Sequence, residues 1–277
     1  IHGRFSDLVI DTSNEEKLDL IGQTIISTKK PNKADDLLKS IIKTISTNRP
    51  INESHYEALL RQCWPLNPVV SLLLGPLSLK NFGQNQRSIF SFLNSEEPNG
   101  FQQYLQTTEY SAQESYSIDL FWDYIQSNFD FILSRSTDAR RWLLAQESID
   151  KLHAQATVSK INITLASSIL KFIALLEIFK GNSGLVASQE LIHQLFASQH
   201  SQIDEVINQL RELSLLREAY DKSGFVLFDG SDFDIDHSLD NALEQVIDID
   251  YERLNKIASF QPIVAKKNYH ETGTIRW

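Results

Sequence analysis

The sequence predicts a mainly α-helical protein, in which a helical bundle is followed by a winged helix-turn-helix with a small β-hairpin wing. Over most of the chain, apolar residues recur at intervals of three and four, the spacing of amphipathic helices. Between residues 167 and 229 this spacing predicts three helices: SSILKFIALLEIFK, QELIHQLFAS after the cap Ser188, and QIDEVINQLRELSLL from Ser201. Two short runs, LLREAY and GFVLFD, then flank Asp221-Lys222-Ser223-Gly224, which favours a hairpin turn.

Three helices and a hairpin in this order are typical of proteins that read DNA, but the charge of this segment argues against that use. From Lys160 to Asp240 there are six Lys and Arg against twelve Asp and Glu, a net charge of −6. The third predicted helix has three acids, Asp204, Glu205 and Glu212, against one Arg. Since binding to phosphate relies on Lys and Arg, the sequence predicts a protein partner for this unit and makes DNA an unfavourable one.

Helices are also predicted for most of the preceding chain. Their expected starts are Asn14, Asp35, Asn52 as a cap, Pro68, the SIFSFL segment, Glu97, Ile118 and Ser136. We expect the helix from Pro68 to be interrupted at Gly75-Pro76. The predicted organisation is a helical region over 1–150, the winged-helix domain with a following helix over 151–260, and an extended segment over 261–277 that leads to a downstream domain.

Composition narrows the class of protein further. The 277 residues carry a net charge of −10, which disfavours a general nucleic-acid or anionic-membrane partner. Cys63 is the only cysteine, so no disulfide can form within the chain, and a reducing cytoplasm is the expected setting. No apolar run approaches the roughly 18 residues of a membrane-spanning helix.

Several motifs that suggest catalytic or metal sites have simpler structural explanations. Asp232, Asp234 and Asp236 alternate as calcium ligands can, but the loop lacks the glycine and the glutamate of an EF-hand, which favours helix caps. Cys63 with His55 is better explained as a buried thiol than as a nucleophile and its base. The seven histidines show no zinc spacing, and the break near 198–201 separates His193 and His200 onto different helices. The aromatic residues between Phe121 and Phe131 favour a core.

The segment from Cys63 to Leu93 is the most distinctive in the chain. After the apolar helix, Gly83, Gln84 and Asn85 form a turn that precedes Arg87 in the first turn of the next helix. A cation there opposes the helix dipole, which favours cations at the other end. Two explanations remain open for Arg87: a structural ion pair with a carboxylate, and a role towards an anion that another domain supplies.

This segment, with the EPNGF that follows, resembles part of large prokaryotic multidomain P-loop ATPases of the AAA+/STAND type, many associated with anti-phage defence. Three further elements carry the resemblance: GRFSD at 3–7, GSDFDID at 230–236 and TGTIR at 272–276. The resemblance implies that the chain is the region C-terminal to the nucleotide-binding core, an AAA+ lid-like helical bundle followed by a winged helix. It also implies a neighbouring ATPase domain, a protein partner or a second copy as the binding partner.

By the same resemblance Arg87 is a candidate nucleotide sensor of the lid, and Arg4 is a weaker candidate for a sensor or inter-subunit role. ATP and Mg²⁺ are the cofactors implied for the full-length protein. This chain contains no G-x-x-x-x-G-K-[ST] motif, so it lacks the phosphate cradle and is expected to have no ATPase activity alone. Two alternatives remain: a winged-helix DNA-binding transcriptional regulator, and a helical interaction scaffold without a ligand.

Overall fold

The computed structural model describes residues 13–27, 36–79, 89–109, 115–155, 161–181, 183–230, 251, 254 and 266–274. The described part of the chain is mainly helical with one small antiparallel sheet, which confirms the predicted fold class at this level. Its elements are α1 Asn14–Thr24, α2 Asp36–Asn48, α3 Glu53–Gln62, α4 Pro68–Leu79, α5 Ile89–Leu93, α6 Phe101–Thr107, α7 Ile118–Leu133, α8 Ala139–Gln155, α9 Ile163–Phe179, α10 Gln189–Leu195, α11 His200–Glu212, β1 Leu216–Glu218, β2 Phe225–Leu227 and α12 Lys266–Thr272.

Side-chain caps define several of the helix starts. Ser13 caps α1 in a capping box, in which its hydroxyl accepts from the Glu16 backbone N–H and the Glu16 carboxylate accepts from the Ser13 N–H. The cap is therefore one residue earlier than the predicted Asn14. Asn52 caps α3 and Ser188 caps α10 as predicted, each through an oxygen that accepts from a backbone N–H three residues later.

Helix α4 continues through Pro76, where the sequence predicts an interruption. Proline in a helix removes one backbone hydrogen bond and crowds the preceding turn. Burial of the apolar side chains of α4 offsets this cost, because Leu73, Leu74 and Leu77 are each no more than 4% exposed. Gly75 allows a close approach as well: a Cβ there would lie 3.1 Å from Cδ of Lys17 on α1.

The aromatic residues of α7 form part of the core, as predicted, with one exception. Phe121, Tyr124 and Phe129 are buried, and the Phe92 ring on α5 makes edge-to-face contacts with the first two at 5.6 and 5.1 Å. Phe131 instead is 67% exposed, and the Arg135 guanidinium lies 4.1 Å from the centre of its ring. Helical spacing explains the difference, since Phe131 is two residues from Phe129 and so points to the other side of the helix.

Helix α9 lies at the centre of the described core. Of its 17 residues, 13 are buried, and it packs against α4, α7, α8, α11 and β2. The apolar residues lie all around the helix rather than on one stripe, which is typical of a helix enclosed by others. Asn162 caps it, and the helix begins at Ile163, four residues before the predicted start at Ser167. Residue 150, where the sequence predicts the end of the helical region, lies inside α8, and α8 packs directly against α9.

The predicted hairpin is present after α11. Strands β1 and β2 pair antiparallel, with Leu216 opposite Leu227 and Glu218 opposite Phe225. The turn contains Lys222 in the left-handed region at φ 54°, and Asp221 accepts from the Ser223 backbone N–H. Strand β2 is also bonded to the segment between α9 and α10, because the Phe225 N–H donates to the Ala187 carbonyl.

Helix α2 contacts α10 and the segment that precedes α10. The Lys43 Nζ lies 3.0 Å from a carboxylate oxygen of Glu190, and the Asn48 side-chain amide donates to the Gly184 carbonyl at 2.9 Å. The ion pair is exposed and contributes little stability alone. The buried contact between α2 and α10 is the larger link, since Ile41, Ile45 and Ile192 are completely buried.

The chain divides into two compact units, Ile1–Gly230 and Ser231–Trp277. In the second unit the structure describes mainly α12, which occupies a stretch where the sequence predicts an extended segment. Residues 265–271 contain no β-branched side chain, and Gly273 at φ 68° provides a left-handed end to the helix. The helix predicted after Asp234 or Asp236 lies outside the described residues. No helix within the described ranges combines the length and the apolarity that crossing a membrane requires.

Candidate functional site

The two candidate nucleotide sensors, Arg87 and Arg4, lie outside the described residues, as do Asp232, Asp234 and Asp236. Their assigned roles stay predictions.

Cys63, by contrast, is completely buried, and its Sγ lies 3.5 Å from the Leu18 carbonyl and 3.4 Å from the Leu59 carbonyl. The prediction of a buried thiol is therefore confirmed. Among the described residues, no group of three or more His, Cys, Asp or Glu side chains is arranged to hold a metal ion.

A cavity of about 380 Å³ lies beside the distinctive Cys63–Leu93 segment. Trp64 and Pro65 line it together with Phe101, Tyr104 and Leu105 of α6. None of its described lining residues is Lys or Arg, and Glu109 is the one charged side chain among them. The described wall of this cavity suits an apolar group and offers no cation to a nucleotide phosphate.

The outer face of α11 is an exposed polar surface of the three-helix and hairpin unit. Ile203, Val206, Ile207 and Leu210 are buried against the core, which turns the opposite face of the helix to solvent. That face is acidic, and its exposed residues are Ser201, Gln202, Asp204, Glu205, Asn208, Arg211 and Glu212. The structure thus places the three acids of the predicted third helix on its exposed side.

The junction of α10 and α11 contains an interaction that the sequence analysis missed. His193 and His200 are on different helices, as predicted, yet their ring centres are only 4.5 Å apart. His193 Nε2 also lies 2.7 Å from Asp204 Oδ1, while the Gln189 side-chain amide donates to the same oxygen at 2.8 Å. These two hydrogen bonds lower the pKa of Asp204. The pairing fixes the start of α11 against α10.

Glu177 lies under the hairpin, in the last turns of α9. Burial raises the pKa of its carboxyl group. A backbone hydrogen bond with Leu227 and the positive charges of Arg141, Lys180 and Arg217 oppose this effect without cancelling it. The ionised carboxylate is therefore destabilised in the folded protein relative to the unfolded chain.

Replacing Glu177 with Gln is expected to raise the free energy of unfolding at pH 7. A raised pKa means that the folded state favours the neutral carboxyl, which Gln resembles, so the ionised wild type loses stability as pH rises through that pKa. The gain should disappear near pH 4, where the wild-type carboxyl is protonated. Urea denaturation at both pH values measures it, with the exposed Glu218→Gln as a matched control that should show no gain. A Glu177→Gln variant less stable than wild type at pH 7 would contradict the assignment.

Comparison of the chain with protein-family models, with curated proteins and with solved structures finds no match.

Proposed function

We propose that this chain is a non-catalytic region of a multidomain P-loop ATPase, a helical lid and a winged helix that couple nucleotide state to a neighbouring domain or a protein partner. The assignment to the ATPase rests on the resemblance of the Cys63–Leu93 segment and the three further sequence elements. The role of the three-helix and hairpin unit rests on its own geometry, which favours a protein as the partner.

The exposed acidic face of α11 is the observation that supports a protein partner in this proposal. In a winged helix the third helix is the one that enters the major groove of DNA. Here that helix exposes three acidic side chains, those of Asp204, Glu205 and Glu212. Arg211 is the one exposed Lys or Arg side chain on the same helix. Phosphate groups would meet a net negative charge at the contact, so a positively charged protein surface is the better complement.

The residues of this chain do not fit ATP and Mg²⁺ as a complete binding site. The chain has no G-x-x-x-x-G-K-[ST] motif to surround the phosphates, and the described residues include no cluster of metal ligands. In the proposal another domain therefore binds the nucleotide, and this chain contributes Arg87 towards the phosphates. Arg4 is the second candidate for such a contact.

A winged-helix DNA-binding regulator is the second candidate function. The order of α9, α10, α11, β1 and β2 favours it, as does the edge contact of the Ala187 segment with the hairpin. The acidic charge of α11 opposes it. The affinity for DNA separates the two candidates.

We expect no appreciable binding of duplex DNA at physiological salt, with a Kd no tighter than about 10⁻⁴ M, the weak end of non-specific binding. A fluorescence-anisotropy titration with a random-sequence duplex measures this. The double variant Glu205→Lys/Glu212→Lys reverses two exposed charges and should gain salt-sensitive binding, which controls for the sensitivity of the assay. Sub-micromolar binding by the wild type that weakens steeply with salt would overturn the protein-partner proposal in favour of the regulator.

A further inference from the structure

We infer that the groove between α7 and α8, with α9 as its floor, binds an arginine or lysine side chain of a basic peptide segment in a partner protein. The groove encloses about 840 Å³, within the range of sites that hold organic ligands. No described residue of α11 lines it. Its lining residues are Asp119, Trp122, Asp123, Gln126, Gln146, Ile149, Asp150, His153, Ile163, Thr164, Ser167, Ser168 and Lys171.

An internal network on one side of the groove is already paired. Lys171 is only 15% exposed, and its Nζ lies 2.8 Å from Asp123 and 3.7 Å from Asp119. The Ser168 hydroxyl lies 2.9 Å from both carboxylate oxygens of Asp119. One lysine therefore faces two carboxylates. The described residues of this network together carry a net negative charge.

Two further polar groups of the groove have no partner within the described ranges. The Ser167 side chain on α9 is 9% exposed and makes no hydrogen bond to any described residue, which leaves its hydroxyl open to a partner in the groove. Asp150 on α8 is exposed and, among the described residues, forms no ion pair. The unused hydroxyl and the unused carboxylate lie on neighbouring helices that line the same groove.

The chemistry of the lining selects a cation with an alkyl stem. Three aspartates against Lys171, with His153 counted as neutral, leave a net charge of −2, which repels phosphates and carboxylates. The half-buried Ile149 and Ile163 offer an apolar contact for a methylene stem. An arginine or lysine side chain satisfies both requirements, since its stem is apolar and its head donates to carboxylate and hydroxyl oxygens.

The groove adjoins the acidic face of α11, which favours a peptide segment over a free small cation. Asn162 precedes Ile163 in the chain, and its side-chain amide donates to Gln202 on α11 at 2.7 Å. Glu205 follows Gln202 by three residues and so lies on the same side of that helix. A segment with two or more basic residues can contact both surfaces. The biological role of the groove rests on the proposed function, whereas binding in the groove does not.

The test is a titration of the isotope-labelled chain, followed by NMR chemical shifts, with the tripeptide Ac-Ala-Arg-Ala-NH₂ and with neutral Ac-Ala-Gln-Ala-NH₂. The arginine peptide should shift resonances of α7, α8 and α9 around the groove, and the glutamine peptide should not. Asp150→Asn should raise the Kd about fivefold, the upper range for one exposed charge pair. Ser167→Ala should raise it about twofold to threefold, the effect of one neutral hydrogen bond, without loss of folding.

Glu147→Gln is the matched control, because it removes the same charge from an exposed position on α8 outside the groove. It should change the Kd less than twofold. Equal weakening by Asp150→Asn and Glu147→Gln would show attraction by overall charge and would overturn the site, as would shifts confined to other helices or no binding. None of these results depends on ATP hydrolysis, so the site can fail while the ATPase proposal stands, and the reverse.

Discussion

Replacing Trp142 with Ala is expected to lower the free energy of unfolding by about 3–5 kcal/mol, the range for truncating a large buried aromatic side chain. Trp142 is completely buried on α8, and its ring centre lies 4.8 Å from that of Trp122 on α7. Its indole Nε1 also donates to Asp130 at 2.8 Å. The substitution therefore leaves a cavity between two helices and removes a hydrogen bond, and urea denaturation followed by circular dichroism measures the loss.

Trp142→Phe tests how the loss divides between the aromatic contact and the hydrogen bond, and Leu143→Ala is the control. Trp142→Phe keeps much of the aromatic contact and should cost less than Trp142→Ala, since the main loss is the bond to Asp130 and some ring volume. Leu143→Ala alters the next residue, which is 46% exposed, and should change stability by no more than about 0.5 kcal/mol. A loss below about 1 kcal/mol for Trp142→Ala would mean that the two tryptophans do not pack as the structure has them.

If the full-length protein is the proposed ATPase, Arg87→Ala is expected to lower its rate of ATP hydrolysis at least about tenfold, the order for losing one charge-stabilising contact in phosphoryl transfer. The purified chain alone should show no hydrolysis, because it contains no phosphate cradle. Steady-state phosphate release measures both. Thermal unfolding of the chain should hardly change, since the proposal gives Arg87 a partner in another domain.

Arg135→Ala is the matched control, because it removes an exposed arginine that packs over the Phe131 ring. It should leave hydrolysis unchanged. If Arg87→Ala unfolds the chain while hydrolysis in the full-length protein persists, Arg87 is a structural ion pair and the sensor assignment is wrong. An open reading frame without a P-loop motif would contradict the ATPase proposal itself.

Local patterns were enough to predict most of the described helices and the hairpin. The apolar spacing of α7 and α11, the caps Asn52 and Ser188 and the Asp221–Gly224 turn each depend on interactions within a few residues of one another. The failures have tertiary causes. Helix α4 continues through Pro76 because it is buried, and no pattern within the segment reports how deeply the helix will be enclosed.

The candidate sites were harder to predict, because their residues come from separate helices. Asp123, Asp150 and Lys171 each resemble an ordinary charged residue on a solvated helix face when taken alone. Only the packing of α7, α8 and α9 brings them to one groove. The proximity of His193 and His200 likewise depends on the angle between α10 and α11, which their separation in sequence does not fix.

The all-round burial of α9 has a consequence for how this architecture can be inherited. Because α9 packs against α4, α7 and α8 as well as against α11 and β2, it is part of the core of the helices before it and also of the unit that contains the hairpin. A gene fragment that encoded only residues 161–230 would leave much of the apolar surface of α9 exposed to water. Such a surface favours association with other chains over folding. Recombination that preserved folding would therefore have to exchange the helical bundle and the hairpin together.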